Sequence, residues 1–75
     1  MANEQLKQLI KMVNQIANNN SHQTKDESVA LIFNHLKKFW ALSMKQQIIE
    51  YAKQDNNELT PLAQKAVIQL AVAYN

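Results

Sequence analysis

The 75-residue sequence contains no cysteine, no glycine and no arginine. Without cysteine, the chain forms no disulfide and offers no thiolate to an iron–sulfur cluster, so it is suited to a reducing cytoplasm. Arginine supplies the bidentate contacts that recognise phosphate and guanine, and the net charge is only +2. We therefore do not expect a nucleic-acid partner.

Long hydrophobic runs are also missing. The longest apolar stretch, residues 66–74, is interrupted by Gln69, and it is much shorter than the ~20 residues that cross a bilayer. Residues 1–10 show no basic segment followed by an apolar run, so no export signal is expected. The sequence therefore predicts a cytoplasmic protein that does not contact a membrane.

Apolar residues recur at three- and four-residue spacing along the whole chain, and Pro61 is the single proline. This pattern is typical of amphipathic helices, and residues that make tight hairpins are scarce. We predict an all-α fold, a small compact bundle of four short helices forming one domain over residues 1–75. The expected helices cover about residues 3–18, 25–41, 44–55 and 61–74.

Three of the expected helix starts carry residues that can cap a helix. A serine or threonine oxygen can accept a hydrogen bond from a free backbone N–H, and a Glu or Gln three residues later can bond back to the cap. Proline is favoured at the first helical position, where its missing N–H costs nothing. The pairs are Thr24 with Glu27, Ser43 with Gln46, and Thr60 with Pro61.

The second predicted helix has two apolar sides. One is a core stripe that ends at Trp40. Leu31, His35 and Phe39 follow one another at four-residue intervals beside that stripe, with Lys38 on the outer side. We call these three residues the aromatic ridge, and we expect Phe39 at the margin of the core. The stripe consists of Val29, Ile32, Phe33, Leu36 and Trp40.

The fourth predicted helix is apolar on all sides. Ile68 and Val72 lie opposite its main apolar face, and a helix that is apolar all round is normally covered all round. In a chain this small, the extra face indicates contact with another chain. The alternative is that a bundle helix simply contacts several neighbours. The main face consists of Leu62, Ala63, Ala66, Val67, Leu70 and Tyr74.

We find no catalytic or metal-binding pattern. His22 and His35 lack the spacing of metal ligands, and the acids at 26 and 27 are explained by the dipole at a helix start. Ser28 has the position of the phosphopantetheine-bearing serine of acyl carrier proteins. Those carriers, however, are strongly acidic and place aspartate directly before the serine, where this chain has Glu27. An ordinary first-turn serine is the favoured interpretation.

Three blocks of residues carry a family resemblance: KMVNQIA at 11–17, HLKKFWALSM at 35–44 and LTPLAQKAV at 59–67. They resemble the delta subunit of NAD-dependent formate dehydrogenases, whose members show Lys-Met-x-Asn-Gln-Ile, then Lys-Phe-Trp with a Met four positions later, then Ser or Thr before Pro-Leu. The sequence departs from that pattern at Ala41 and Leu42, where the family typically has an acid and a proline. The matching positions in the first two blocks are Lys11, Met12, Asn14, Gln15, Ile16, His35, Leu36, Lys38, Phe39, Trp40 and Met44.

The resemblance implies a small helical accessory subunit, itself noncatalytic, of a cytoplasmic complex that oxidises formate with NAD. In that family the molybdenum or tungsten pterin, the iron–sulfur clusters and the flavin, FMN, reside in larger subunits, so we expect this chain to bind no cofactor. The delta subunit is expected to support assembly or stability by docking on a larger subunit.

The alternative is a free-standing helical protein that associates with its own copies through the same faces. Asn14 and Gln15 are candidate contacts under the resemblance, although they could equally be ordinary helix surface. Including these two, the candidate partner-binding residues are Asn14, Gln15, Leu31, His35, Lys38, Phe39, Ile68 and Val72.

Overall fold

The computed structural model describes residues 4–74. It contains four α-helices, so the predicted fold class, an all-α bundle of four short helices, is confirmed. The predicted start of the first helix at residue 3, and the two ends of the predicted domain, lie outside the described residues. The helices are α1 (Glu4–Asn19), α2 (Lys25–Phe39), α3 (Leu42–Ala52) and α4 (Pro61–Ala73).

The core lies where α4 packs against the other three helices, most extensively against α2. Small and medium side chains on the inward side of α4 let the neighbouring helices approach closely, because a bulky residue there would hold the axes further apart. The predicted stripe of α2 is buried except for Phe33, which packs against the core at its edge. The buried apolar residues are Leu9, Val13, Ala17, Val29, Ile32, Leu36, Trp40, Ile48, Ala52, Ala63, Ala66, Val67 and Leu70.

Two of the three predicted helix caps are confirmed. Thr24 Oγ1 accepts from Glu27 N at 3.3 Å, and Glu27 Oε1 accepts from Thr24 N at 3.3 Å, which completes the capping box of α2. At α4, Thr60 Oγ1 accepts from Ala63 N at 3.3 Å and Pro61 follows in the first turn. Each cap satisfies backbone donors that the helix itself leaves unpaired.

The predicted cap at Ser43 is wrong. Ala41 is the N-cap residue of α3 and makes no side-chain hydrogen bond, while Ser43 already lies within the first turn. The cause is the burial of Trp40, which is 5% exposed. Trp40 and Ala41 both have extended backbone angles, so α2 ends at Phe39 rather than at 41 and α3 begins at Leu42 rather than at 44.

The C-terminal end of α3 also differs from the prediction, since the helix stops at Ala52 and not at 55. Asn57 Nδ2 donates to the Gln54 carbonyl at 2.8 Å and to the Ala52 carbonyl at 3.3 Å. Gln64 Nε2 of α4 donates to the same Ala52 carbonyl at 3.1 Å. These side-chain amides take up acceptors at the helix end, and such bonds compete with continuation of the helix.

Replacing the buried tryptophan should destabilise the fold far more than replacing its neighbour. We expect Trp40→Ala to lower the free energy of unfolding by about 3–5 kcal/mol, because it removes a large side chain from the core. Phe39→Ala should lower it by less than about 1 kcal/mol, because most of that ring already contacts water. Urea denaturation followed by circular dichroism measures both, and equal losses would contradict the different placement of the two rings.

The uncapped start of α3 offers a stabilising substitution. Ala41→Asp should raise the free energy of unfolding by about 0.5–2 kcal/mol, since the new carboxylate can accept from free N–H groups and faces the positive end of the helix dipole. Ser43→Ala is the control, and it should change stability by less than about 0.5 kcal/mol because Ser43 is not the cap. Thermal denaturation of both variants checks this, and a large loss from Ser43→Ala would restore serine as the capping residue.

Candidate partner-binding surfaces

The aromatic ridge lies on the solvent side of α2. Leu31 is 43% exposed and Phe39 is 72% exposed, while Ile32 and Leu36 of the adjoining stripe are fully buried. His35 is also exposed. The ring centroids of His35 and Phe39 are 5.0 Å apart, and the two planes are tilted by 48°. The ridge therefore presents two aromatic rings that contact each other and leave most of the phenyl face in water.

The exposed apolar surface continues into α3. Leu42, three residues after Phe39, is 55% exposed at the start of that helix. The sequence prediction missed it because it assigned residue 42 to a connection. The three-residue spacing between Phe39 and Leu42 was the signal that could have found it.

On α4, Ile68 is 49% exposed and Val72 is 70% exposed. Both residues line a groove between α3 and α4, which continues past Ile49 and Ala71 to Leu42 and Tyr74. We call this the α3–α4 groove. The two residues predicted to lie outside the core thus line the apolar part of a longer groove, whose other part is also lined by Lys45, Gln46 and Glu50.

Lys38 borders the ridge, and Lys37 lies beside Phe33 on another side of α2. Lys37 and Lys38 occupy the last turn of α2, where cations interact favourably with the negative end of the helix dipole. Lys37 Nζ lies 5.8 Å from the centroid of the Phe33 ring. Over residues 4–74 the ion pair found joins Lys53 to Glu50 at 3.0 Å, so neither lysine of this turn is neutralised by an acid there.

Asn14 has a role inside the chain that the sequence did not reveal. Its Nδ2 donates to the Glu58 carbonyl at 2.9 Å, and its Oδ1 accepts from Thr60 N at 2.9 Å. Glu58 N in turn donates to Tyr51 Oη at 2.7 Å. The side-chain amide of Asn14 therefore joins α1, through two hydrogen bonds, to the connection that leads into α4. Gln15, the next residue, is exposed.

The family model described as NADH-dependent formate dehydrogenase delta subunit FdsD matches residues 8–67. The chain belongs to this family. The match includes all three sequence blocks, and with them the aromatic ridge and Lys38, whereas Ile68 and Val72 lie just beyond it. Neither the curated proteins nor the solved structures that were compared with the chain gave a match.

The structure divides the FdsD blocks into residues that build the fold and residues that do not. Leu36 and Trp40 fill the core, and Asn14 joins the first block to the third. His35 and Phe39, from the same block as Trp40, are exposed instead. Packing accounts for the first group. Packing within the chain does not explain why His35 and Phe39 are exposed, and exposed aromatic residues of this kind are typical of a protein interface.

Other chemistry considered from the sequence finds little support. Ser28 is 1% exposed and its hydroxyl donates to the Asn20 carbonyl, so it is an internal residue rather than an accessible attachment point. Between residues 4 and 74, no three His, Asp or Glu side chains are placed together to hold a metal ion. None of the helices described is both long and apolar enough to span a bilayer.

Removing the Asn14 amide should loosen the fold. We expect Asn14→Ala to lower the free energy of unfolding by about 0.5–1.5 kcal/mol, because the Glu58 carbonyl and the Thr60 N–H lose their hydrogen bonds to the amide at an exposed position. Gln15→Ala is the matched control, with an expected change below about 0.5 kcal/mol. Urea denaturation compares them. If both variants were as stable as the unchanged protein, the bonds to the connection would contribute nothing.

Proposed function

We propose that this chain is a noncatalytic accessory subunit of a cytoplasmic NAD-dependent formate dehydrogenase, and that it supports assembly or stability of the complex by docking on a larger subunit. The observation that carries the proposal is the aromatic ridge, above all Phe39 at 72% exposure. Membership of the delta-subunit family supplies the identity of the complex.

The core supports docking because it is already complete without the ridge. Leu9, Ile32, Ile48 and Leu70 are each at most 2% exposed, so the apolar residues left outside are a surplus that the fold does not require. Contiguous exposed apolar surface of this kind marks interaction sites in proteins that are otherwise monomeric. Lys38 beside the ridge favours a partner surface that is apolar in its centre and acidic at its border.

The proposed distribution of cofactors among the subunits is the one expected from the family. We place the molybdenum or tungsten pterin, the iron–sulfur clusters and FMN in the larger subunits. The sequence has no cysteine to ligate a cluster, and the side chains of the ridge are suited to apolar contact rather than to redox chemistry. In this proposal the chain acts on the enzyme only through the surface that it covers.

Docking is tested by co-expressing the chain with the larger subunits and separating the products by size-exclusion chromatography. We expect co-elution, and we expect Phe39→Ala to weaken binding by about tenfold or more, because large buried aromatic residues dominate interface energies. Met12→Ala is the matched control. It removes an apolar side chain, 41% exposed, from α1 rather than from the ridge, and should change affinity by less than about threefold.

Sedimentation of the isolated chain addresses the alternative of self-association. A surface that lacks its partner can be covered by a second copy, so a dimer that dissociates when a larger subunit is added agrees with docking. A dimer that persists in the presence of every larger subunit, with no co-elution, would instead support a free-standing self-associating protein. If the chain eluted separately from every larger subunit at micromolar protein concentrations, the proposed docking would be rejected.

A further inference from the structure

Lys45 of α3 is buried, with 7% of its surface exposed. Buried lysines are rare, and they are normally paired with an acid. Here Nζ donates to the Lys37 carbonyl at 2.8 Å and to Tyr74 Oη at 2.8 Å. It also lies 4.9 Å from the centroid of the Tyr74 ring. The lysine therefore bridges the end of α2 and the end of α4.

These contacts leave hydrogen-bonding capacity unused. An ammonium group has three donors, and the two bonds of Lys45 occupy two of them. Tyr74 Oη accepts from the lysine, so its own O–H remains available to donate. Lys45 and Tyr74 both line one end of the α3–α4 groove, where a cavity of about 420 Å³ is also lined by Leu42, Gln46 and Ala71.

The charge of Lys45 is also uncompensated within the described part of the chain. The ion pair found over residues 4–74 joins Lys53 and Glu50 on the rim of the same cavity, and both of those side chains are largely exposed. A buried charge without a counterion costs free energy, and an apolar residue of similar size would fill the space without that cost. The hydrogen bond to the Lys37 carbonyl explains where Nζ lies. It does not supply the negative charge that normally accompanies a buried ammonium group.

We propose that Lys45 Nζ and Tyr74 Oη form a carboxylate-binding site, and that its occupant is an aspartate or glutamate side chain of the larger subunit. This inference rests on the proposed docking function. Two donors, one of them cationic, match the acceptor oxygens of a carboxylate. The rim favours a protein side chain over a free carboxylate, because exposed Leu42 and Tyr74 border the site and the groove continues to Ile68 and Val72.

The site can be tested first in the isolated chain, with acetate as the probe. Titration followed by NMR should shift the resonances of the Lys45 Nζ group and the Tyr74 ring, with sodium chloride at equal ionic strength as the reference. Lys45→Met should abolish the acetate-dependent shift of the Tyr74 ring resonances. Lys53→Met, which removes an exposed lysine from the rim of the same cavity, should retain it. Equal shifts with acetate and chloride, or retention of the shift in Lys45→Met, would overturn the site.

The occupant is tested in the complex with the larger subunit. Lys45→Met should weaken binding by about 30-fold or more, because it leaves the partner's carboxylate buried and unpaired. Tyr74→Phe should weaken binding by about tenfold or more, through the loss of one hydrogen bond to a charged group. Lys53→Met should change affinity by less than about threefold. Circular dichroism checks that each variant is folded. Because Tyr74→Phe removes a single oxygen, it tests the site even if Lys45→Met fails to fold.

The outcomes separate this inference from the proposed function. If the unchanged chain binds the larger subunit and Lys45→Met and Tyr74→Phe bind equally well, docking stands and the carboxylate site is wrong. If the unchanged chain does not bind, docking is wrong and the larger subunit is excluded as the source of the carboxylate. The acetate titration then decides by itself whether the site exists.

Discussion

Much of this structure depends on the burial of one side chain, Trp40, at the corner between α2 and α3. The indole enters the core only if the backbone leaves the helical path after Phe39, which it does through two extended residues. This break sends Phe39 outward while its neighbour goes inward. It also brings the end of α2 within reach of Lys45 from the first half of α3. The exposed ridge and the buried lysine are thus two results of one packing requirement.

A second constraint links α1 to the connection that leads into α4. Asn14 of α1 bonds to the backbone just before α4, across 44 to 46 residues of sequence. Together with Tyr51 it holds the α3–α4 connection, in which Leu59 also packs against the core. A side-chain amide can do this because it offers a donor and an acceptor at once. Asn14 therefore connects the first block of the FdsD match to the start of the third.

Local signals in the sequence were sufficient for most of the fold. The capping box at Thr24 and the start of α4 at Thr60 depend on residues within three positions, so they were predicted correctly. The same rule failed at Ser43, because the start of α3 is decided by Trp40 in the core and not by the local cap. Tertiary contacts overrode a local preference, as they commonly do for short elements.

The candidate surfaces show the same limit. The exposure of Phe39, Ile68 and Val72 followed from helical periodicity, since each lies away from a well-defined stripe. Lys45 could not be found in this way, because a lysine in a helix normally lies on a solvated face. Its burial depends on the carbonyl of Lys37 and the phenol of Tyr74, which are brought together only when three helices have packed.

The position of Tyr74 has a practical consequence for anyone preparing this protein. It is the C-cap residue of α4 and borders the groove with its side chain. An affinity tag or fluorescent label attached next to Tyr74 would lie against that border and obstruct the groove mechanically. A label attached away from this residue, or through a long flexible spacer, is the better choice for pull-down and labelling work.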